Sequence, residues 1–329
     1  MSLQIIKAGI LDSIQDLGRY GFQHVGINPG GAMDKYAAQS ANALLGNDLT
    51  SPVIEIHFPS SEILFKKQTI ICLTGADFSA YINNLPLPLA QPVVVNKKTL
   101  LKFKKKISGA RCYLAVLHQP DLVKWLNSYS TNMLACSGGF KGRAFKRNDT
   151  INFMNHPEIH YLKGDQPFKI LSWKATTSCN FFKTIRFLKG NEWDWLAKES
   201  KEIFESARFK ITGNSNRMGY RLEGDKIDIK DQQQLISSPV TFGTVQLLPE
   251  GQLIILMADH QTTGGYPRIA HVISADLPLL AQADAGDIIN FKEVDQVLAE
   301  HLFLEQQRDL QQIQTASKFK MEALHAMRY

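Results

Sequence analysis

Short apolar, often β-branched runs cut off by turn residues recur along this whole chain, and that interruption constrains its fold more than any other feature. The runs at 69–74, 93–95, 112–116, 168–171, 185–188, 227–229, 253–257, 269–273 and 288–291 are each three to six residues long. Runs so short, bounded by turn residues, bury a strand face but are too brief for a helix. The chain therefore reads as mostly β with few helices, its strands mainly antiparallel. One helix is predicted from Asp34 to Leu45, with Asp34 as N-cap, Ala37, Ala41, Leu44 and Leu45 on one face, and Gly46 just past the end. A second is predicted over 193–207. A third, over 276–283, has Asp276 as its cap and Pro278 in its first turn. After Phe291 the composition turns to Glu, Gln, Lys and Ala. There Val294, Leu298, Leu302, Leu310, Ile313, Leu324 and Met327 recur at helical intervals, which predicts a C-terminal helical extension packed on the protein's own surface or on a partner.

With 329 residues, 44% of them hydrophobic, the chain is long enough for two cores. Turn-rich polar stretches at 148–164 and 176–180 place the break, giving a β-rich domain over 1–177, a second over 178–292 and the helical extension over 293–329. The apolar runs are too short to span a membrane and the N-terminus lacks a signal-peptide layout, so a cytoplasmic protein is expected. Cys72, Cys112, Cys136 and Cys179 are widely spaced and read as reduced core thiols. The net charge of +6 is concentrated locally: Lys97, Lys98, Lys102, Lys104, Lys105 and Lys106 alternate in part with apolar residues. An edge strand guarded by a lysine row accounts for this, and no nucleic-acid-binding motif accompanies it.

The densest chemistry lies at 258–267, Ala-Asp-His-Gln-Thr-Thr-Gly-Gly-Tyr-Pro, directly after the apolar run 253–257. An acid, an imidazole, an amide and two hydroxyls emerge where a buried strand ends, and the glycine pair permits positive φ or close backbone approach. A polar hairpin with Asp259 and Thr262 bonding their own backbone is the alternative. Arg217 and Arg221, four apart, would share one face of a strand and meet one anion, or else pair with Glu223 and Asp225 or with helix carbonyls. Arg19 lies among glycines, and Pro29-Gly30-Gly31 leads into the first helix, an arrangement suited to an anion site. The stretch matches neither a phosphate-binding loop nor a dinucleotide fingerprint. His156 and His160 are separated by Pro157, so a two-histidine metal face is not expected, and there is no Gly-x-Ser-x-Gly.

Five segments occur together in order: Ile14-Gln15-Asp16-Leu17-Gly18-Arg19, Pro29-Gly30-Gly31-Ala32-Met33-Asp34, Leu73-Thr74-Gly75-Ala76-Asp77, residues 216–224 (Asn-Arg-Met-Gly-Tyr-Arg-Leu-Glu-Gly) and residues 259–267. In these the chain resembles the biotin-dependent carboxyltransferase-like family, which includes the C subunit of 5-oxoprolinase, allophanate hydrolase subunit 2 and KipA. The resemblance covers roughly residues 3–292. It implies two cyclophilin-like β-barrel domains, ATP used at a shared site, and two companions: one like KipI or the B subunit of 5-oxoprolinase, the other like its A subunit. The function implied is ATP-dependent opening of 5-oxoproline to glutamate; carboxyl transfer to urea or a related amide, and KipA-like regulation of a kinase inhibitor, are the alternatives. No biotinylation motif is present, the nearest fragment being Phe319-Lys320-Met321. The residues implied as catalytic are Asp259, Gln261, Thr262, Arg217 and Arg19, with Asp16, Arg221, Thr263, Gly264, Gly265, Tyr266 and His260 binding substrate and no metal. Residues 117–131 depart from the family pattern and are left out of the site, and His260 replaces a more usual arginine.

Overall fold

The computed structural model describes residues 2–117, 119–154, 161–162, 164–176, 184–230 and 235–326. His156, His160 and Cys179 lie outside these. Strand makes up 32% and helix 21%, so the protein is mostly β. It divides into two compact units: residues 1–18, 34–179 and 307–329 form the first, and residues 19–33 and 180–306 the second. Residues 19–33 thus leave the first unit, which a linear reading of composition does not reveal.

The first unit holds two six-stranded sheets. One runs in the order Thr150–Asn152, Ser2–Lys7, Glu62–Phe65, Thr99–Phe103, Ala80–Ile82, Leu85–Pro86. The other runs Phe168–Ile170, Val93–Val95, Thr69–Asp77, Ser108–Val116, Val53–Ile56, Ser13–Gln15. Leu3, Ile63, Phe65 and Leu101 of the first sheet and Ile54, Leu73, Val95 and Leu114 of the second share one core. Helix α1 (Lys35–Leu44) is capped as its sequence predicts, the Asp34 carboxylate accepting from the Ala37 N–H at 2.8 Å.

The second unit is a closed seven-stranded barrel: Thr184–Lys189, Arg268–Val272, Thr244–Leu247, Leu253–Leu256, Gly219–Glu223, Phe209–Ile211 and Ile288–Glu293. Only the closing pair, Thr184–Lys189 against Ile288–Glu293, is parallel. An aromatic group holds α2 (Lys198–Ser206) to the barrel, with Phe204 stacked on Phe291 at 4.5 Å and edge-on to Phe187 at 5.0 Å. The predicted helix over 193–207 is broken, a 3₁₀ turn at Trp193–Trp195 preceding α2. Run 227–229 is no strand and makes a single bridge, Leu196 to Ile229.

Helix α3 (Leu277–Ala281) is shorter than predicted, and Asp276 does not cap it. Its buried carboxylate instead receives the backbone N–H, Nε and Nη2 of Arg186 at 2.7, 3.0 and 2.5 Å. The extension forms helix α4 (Gln296–Ala326). Its first part packs Ala299 and Leu302 against Ile273 and Ala275 of the barrel unit. In the first unit Leu310, Ser317 and Met321 are buried, and Gln314 bonds the Asn47 carbonyl at 2.8 Å. Among the described residues no helix is long and apolar enough to cross a membrane.

Two further expectations are corrected. Cys72 and Cys112 are buried core thiols, their pKa pushed up by burial, but Cys136 is exposed. Strand Thr99–Phe103 is no edge, being paired with Glu62–Phe65 on one side and Ala80–Ile82 on the other. Only Lys102 lies within it, and it faces Glu62 at 3.2 Å.

Candidate functional site

Strands Leu253–Leu256 and Gly219–Glu223 pair antiparallel with Gly219 opposite Leu256. The pairing continues past their ends, Met257 N–H donating to the Met218 carbonyl and Asp259 N–H to that of Arg217. The sequence distance between Arg217 and Asp259 therefore collapses at the mouth of the barrel. Arg217 Nε donates to Asp259 Oδ2 at 2.7 Å and Nη2 to Oδ1 at 3.1 Å, a forked pair, while Nη2 also reaches the Gly31 carbonyl at 2.6 Å. Arg217 is 8% exposed and Asp259 20% at the side chain.

The Gly30–Gly31 turn completes the cluster. Both glycines take positive φ, 61° and 96°. A Cβ at Gly30 would stand 3.1 Å from Arg19 Nη1 and 3.5 Å from Asp259 Oδ1, so both side chains close on this backbone. Arg19 is fully buried, and its N–H donates to the Pro29 carbonyl at 2.7 Å. Two guanidinium groups and one carboxylate thus gather around a backbone turn, an arrangement whose N–H donors suit an anionic species.

His260 follows at once and is buried. Its Nδ1 lies 2.5 Å from the Gln261 carbonyl, an acceptor, so Nδ1 carries a proton. From Gln261 the chain enters a two-stranded ribbon outside the barrel, Ser238–Pro239 against Thr263–Gly264. Gln261, Thr263, Gly265 and Tyr266 are exposed, with Thr262 and Gly264 half-buried. Neither glycine of the Gly264–Gly265 pair takes positive φ. Gly264 serves close approach instead, because a Cβ there would stand 2.5 Å from Gln246 Nε2. Buried Gln246 in turn anchors the ribbon at the Tyr266 carbonyl.

Two predicted site residues are differently engaged. Arg221 is exposed on strand Gly219–Glu223 while Arg217 is buried ahead of it, so the two guanidinium groups do not converge. Asp16 belongs to the first unit. Its carboxylate accepts from Gly18 N–H, Ser128 Oγ, Tyr129 N–H and Ser130 Oγ at 2.8, 2.7, 2.6 and 2.5 Å, binding loop 128–131 to the motif at 14–19. A carboxylate so saturated holds a loop in place. Gly31, whose carbonyl receives Arg217, and Gln246 were missed. Pro29-Gly30-Gly31 carried a visible signal for the first, and an ordinary strand glutamine carried none. Among the described residues no group of three or more His, Cys, Asp or Glu is placed to hold a metal ion.

Known proteins share this arrangement of chain. The chain is 36% identical to the C subunit of 5-oxoprolinase from Haemophilus influenzae over 282 residues, covering 86% of this chain and 88% of that one. It is 34% identical to the C subunit of 5-oxoprolinase from Escherichia coli over 315 residues, covering 94% and 97%. Among solved structures, urea amidolyase of K. lactis matches with a TM-score of 0.84 at 26% identity, over 95% of this chain but 20% of that far longer one. Residues 25–293 match the model of the carboxyltransferase domain, subdomain A and B. On that match and on two relatives above 30% identity along nearly their whole length, the chain belongs to the carboxyltransferase domain family, subdomains A and B.

Proposed function

We propose that this chain is the C-type subunit of an ATP-dependent 5-oxoprolinase, a cytoplasmic amidohydrolase that opens the lactam of 5-oxoproline to glutamate. The extent of likeness carries this reading: relatives named as the C subunit of 5-oxoprolinase are matched over 88% and 97% of their own length, and yeast urea amidolyase over only 16% at 29% identity. The companions are a B-type or KipI-like chain and an A-type chain. ATP is a co-substrate used at a site the subunits share, and this chain carries no biotin.

The chemistry follows from the substrate. A lactam nitrogen leaves poorly, so phosphorylation of the amide oxygen by ATP prepares the carbonyl for water, and each intermediate is anionic. Arg19 and Arg217 supply guanidinium donors set in advance around the Gly30–Gly31 turn. Asp259 is committed to Arg217 by two hydrogen bonds, which suits it to hold that guanidinium in place. Gln261, Thr262, Thr263 and Tyr266 on the ribbon offer amide and hydroxyl partners for the substrate, with His260 beneath them. Carboxyl transfer to a urea-like amide is the second reading, favoured by the 0.84 TM-score to urea amidolyase.

The test is hydrolysis of ATP dependent on 5-oxoproline by the purified chain with both companions, run beside urea and a biotin-carrying chain. We expect the 5-oxoproline activity to appear and to fall at least tenfold in Arg217→Ala. Turnover of urea alone would replace this reading with the second.

A further inference from the structure

The lysines that the sequence placed on an edge strand need another explanation, because strand Thr99–Phe103 is paired on both sides and has no edge to guard. Two of them, Lys97 and Lys98, sit in a turn, beside two further lysines, Lys66 and Lys67. Lys66 and Lys67 lie between Glu62–Phe65 and Thr69–Asp77, and Lys97 and Lys98 between Val93–Val95 and Thr99–Phe103. Both turns cross from one sheet to the other at the same end of the unit, since Phe65 pairs with Thr99 and Thr69 with Val95. The Lys98 N–H donates to the Phe65 carbonyl at 2.7 Å, tying one turn to the other, and all four side chains are exposed. Lys98 holds this place at φ 62°, a left-handed conformation that glycine or asparagine adopts at lower cost.

Charge is also segregated between the units. The first carries 23 Lys and Arg against 13 Asp and Glu, the second 14 against 18. Five of the first unit's acids, Asp12, Asp16, Asp34, Glu55 and Asp149, are buried, so its surface is more basic than its composition. The two turns carry lysine and not arginine, and their other residues, Gln68 and Asn96, are polar amides. Residues 66–68 and 96–98 include no aromatic to stack bases and no helix to enter a groove, the usual means of gripping nucleic acid. Compact, hydrated ammonium groups instead suit the carboxylates of a protein surface, where they raise the rate of encounter and set orientation.

We propose that the paired turns at 66–67 and 97–98 are the docking surface for an acidic face of a companion subunit. The proposal rests on the reading of this chain as one member of a complex. It is tested on the full-length chain with the purified B-type companion, comparing wild type with K66E/K67E/K97E/K98E at about 50 and about 300 mM salt. The reversal is expected to weaken binding roughly 30-fold at low salt, mostly through slower association, and to remove most of the salt dependence. K104E/K105E/K106E, at the other end of the same strand, is expected to stay within about threefold of wild type. Should the fourfold reversal fail to fold, K66Q/K97Q/K98Q replaces it, with a loss of about fivefold expected. Unchanged binding in the reversal variant overturns the docking surface and leaves the subunit reading standing. Failure of wild type to bind the companion overturns both. Tighter wild-type binding to a 20-base-pair duplex than to the companion, lost in the reversal variant, overturns the protein partner in favour of nucleic acid.

Discussion

Removing the carboxylate of Asp259 leaves the Arg217 guanidinium buried without its forked partner, and the cost follows from the geometry. Two charge-assisted bonds of 2.7 and 3.1 Å are lost, and Arg217 is only 8% exposed. Breaking a fully buried pair costs about 3–5 kcal/mol. Asp259 is 20% exposed and partly screened, so we expect about 2–3 kcal/mol for Asp259→Ala, with a similar loss for Arg217→Ala. Because each single change removes the same interaction, the double variant should cost less than the sum by about 1–2 kcal/mol. The assay is urea unfolding followed by fluorescence after Trp125 and Trp173 are replaced by Phe. Trp193 and Trp195 then report the barrel unit alone. Additivity within about 0.5 kcal/mol would refute the clamp. In the active complex, Asp259→Asn separates clamp from base: a positioning role lowers kcat modestly and keeps the shape of the pH profile, whereas loss of a general base removes its limb.

Gly190→Ala should destabilise by about 3 kcal/mol in urea unfolding, since a Cβ there would meet the Arg268 carbonyl oxygen, a backbone atom, at 2.0 Å; Gly213→Ala, in open space, should gain roughly 0.5 kcal/mol in the same assay. Burial pushes the Asp12 carboxyl from 3.8 up to about 6, against the pull of the His57 and Ser61 N–H groups. With the folded value raised, its contribution is fully present below pH 3.8 and is lost as pH rises through about 6, a change on the order of 3 kcal/mol. Asp12→Asn should flatten stability across that window, and an unaltered slope would assign it to other groups. Asp276→Ala should cost about 2 kcal/mol by chemical denaturation, because it strips a fully buried carboxylate from Arg186, whose half-exposed guanidinium recovers some hydration.

Much of the architecture was legible where the cause is local. Short apolar runs bounded by turn residues mark strands because segments so brief bury a strand face but cannot build a helix, and eight of the nine runs overlap a strand. Asp34 announced its helix because a cap acts three residues away. Asp276 misled for the same reason: a cap-like acid was drawn off by Arg186, ninety residues distant, whose ion pair is worth more than a cap. The lysines around 97–106 misled because a strand's neighbours are set by topology. Pattern shows that a face is buried but not whether an edge is free.

The sequence by itself determined the mostly β class, the first helix, the long terminal helix and the chemical richness of 259–267, each written in residues close together along the chain. Only the tertiary structure decided that Arg19, Gly30, Gly31, Arg217 and Asp259 form one group, that Arg221 does not converge with Arg217, that the Asp16 carboxylate is taken up by loop 128–131, and that four lysines share one end of a sheet pair. The reason is physical: hydrogen-bond register between distant strands brings these side chains together, and register is a property of the closed sheets as a whole.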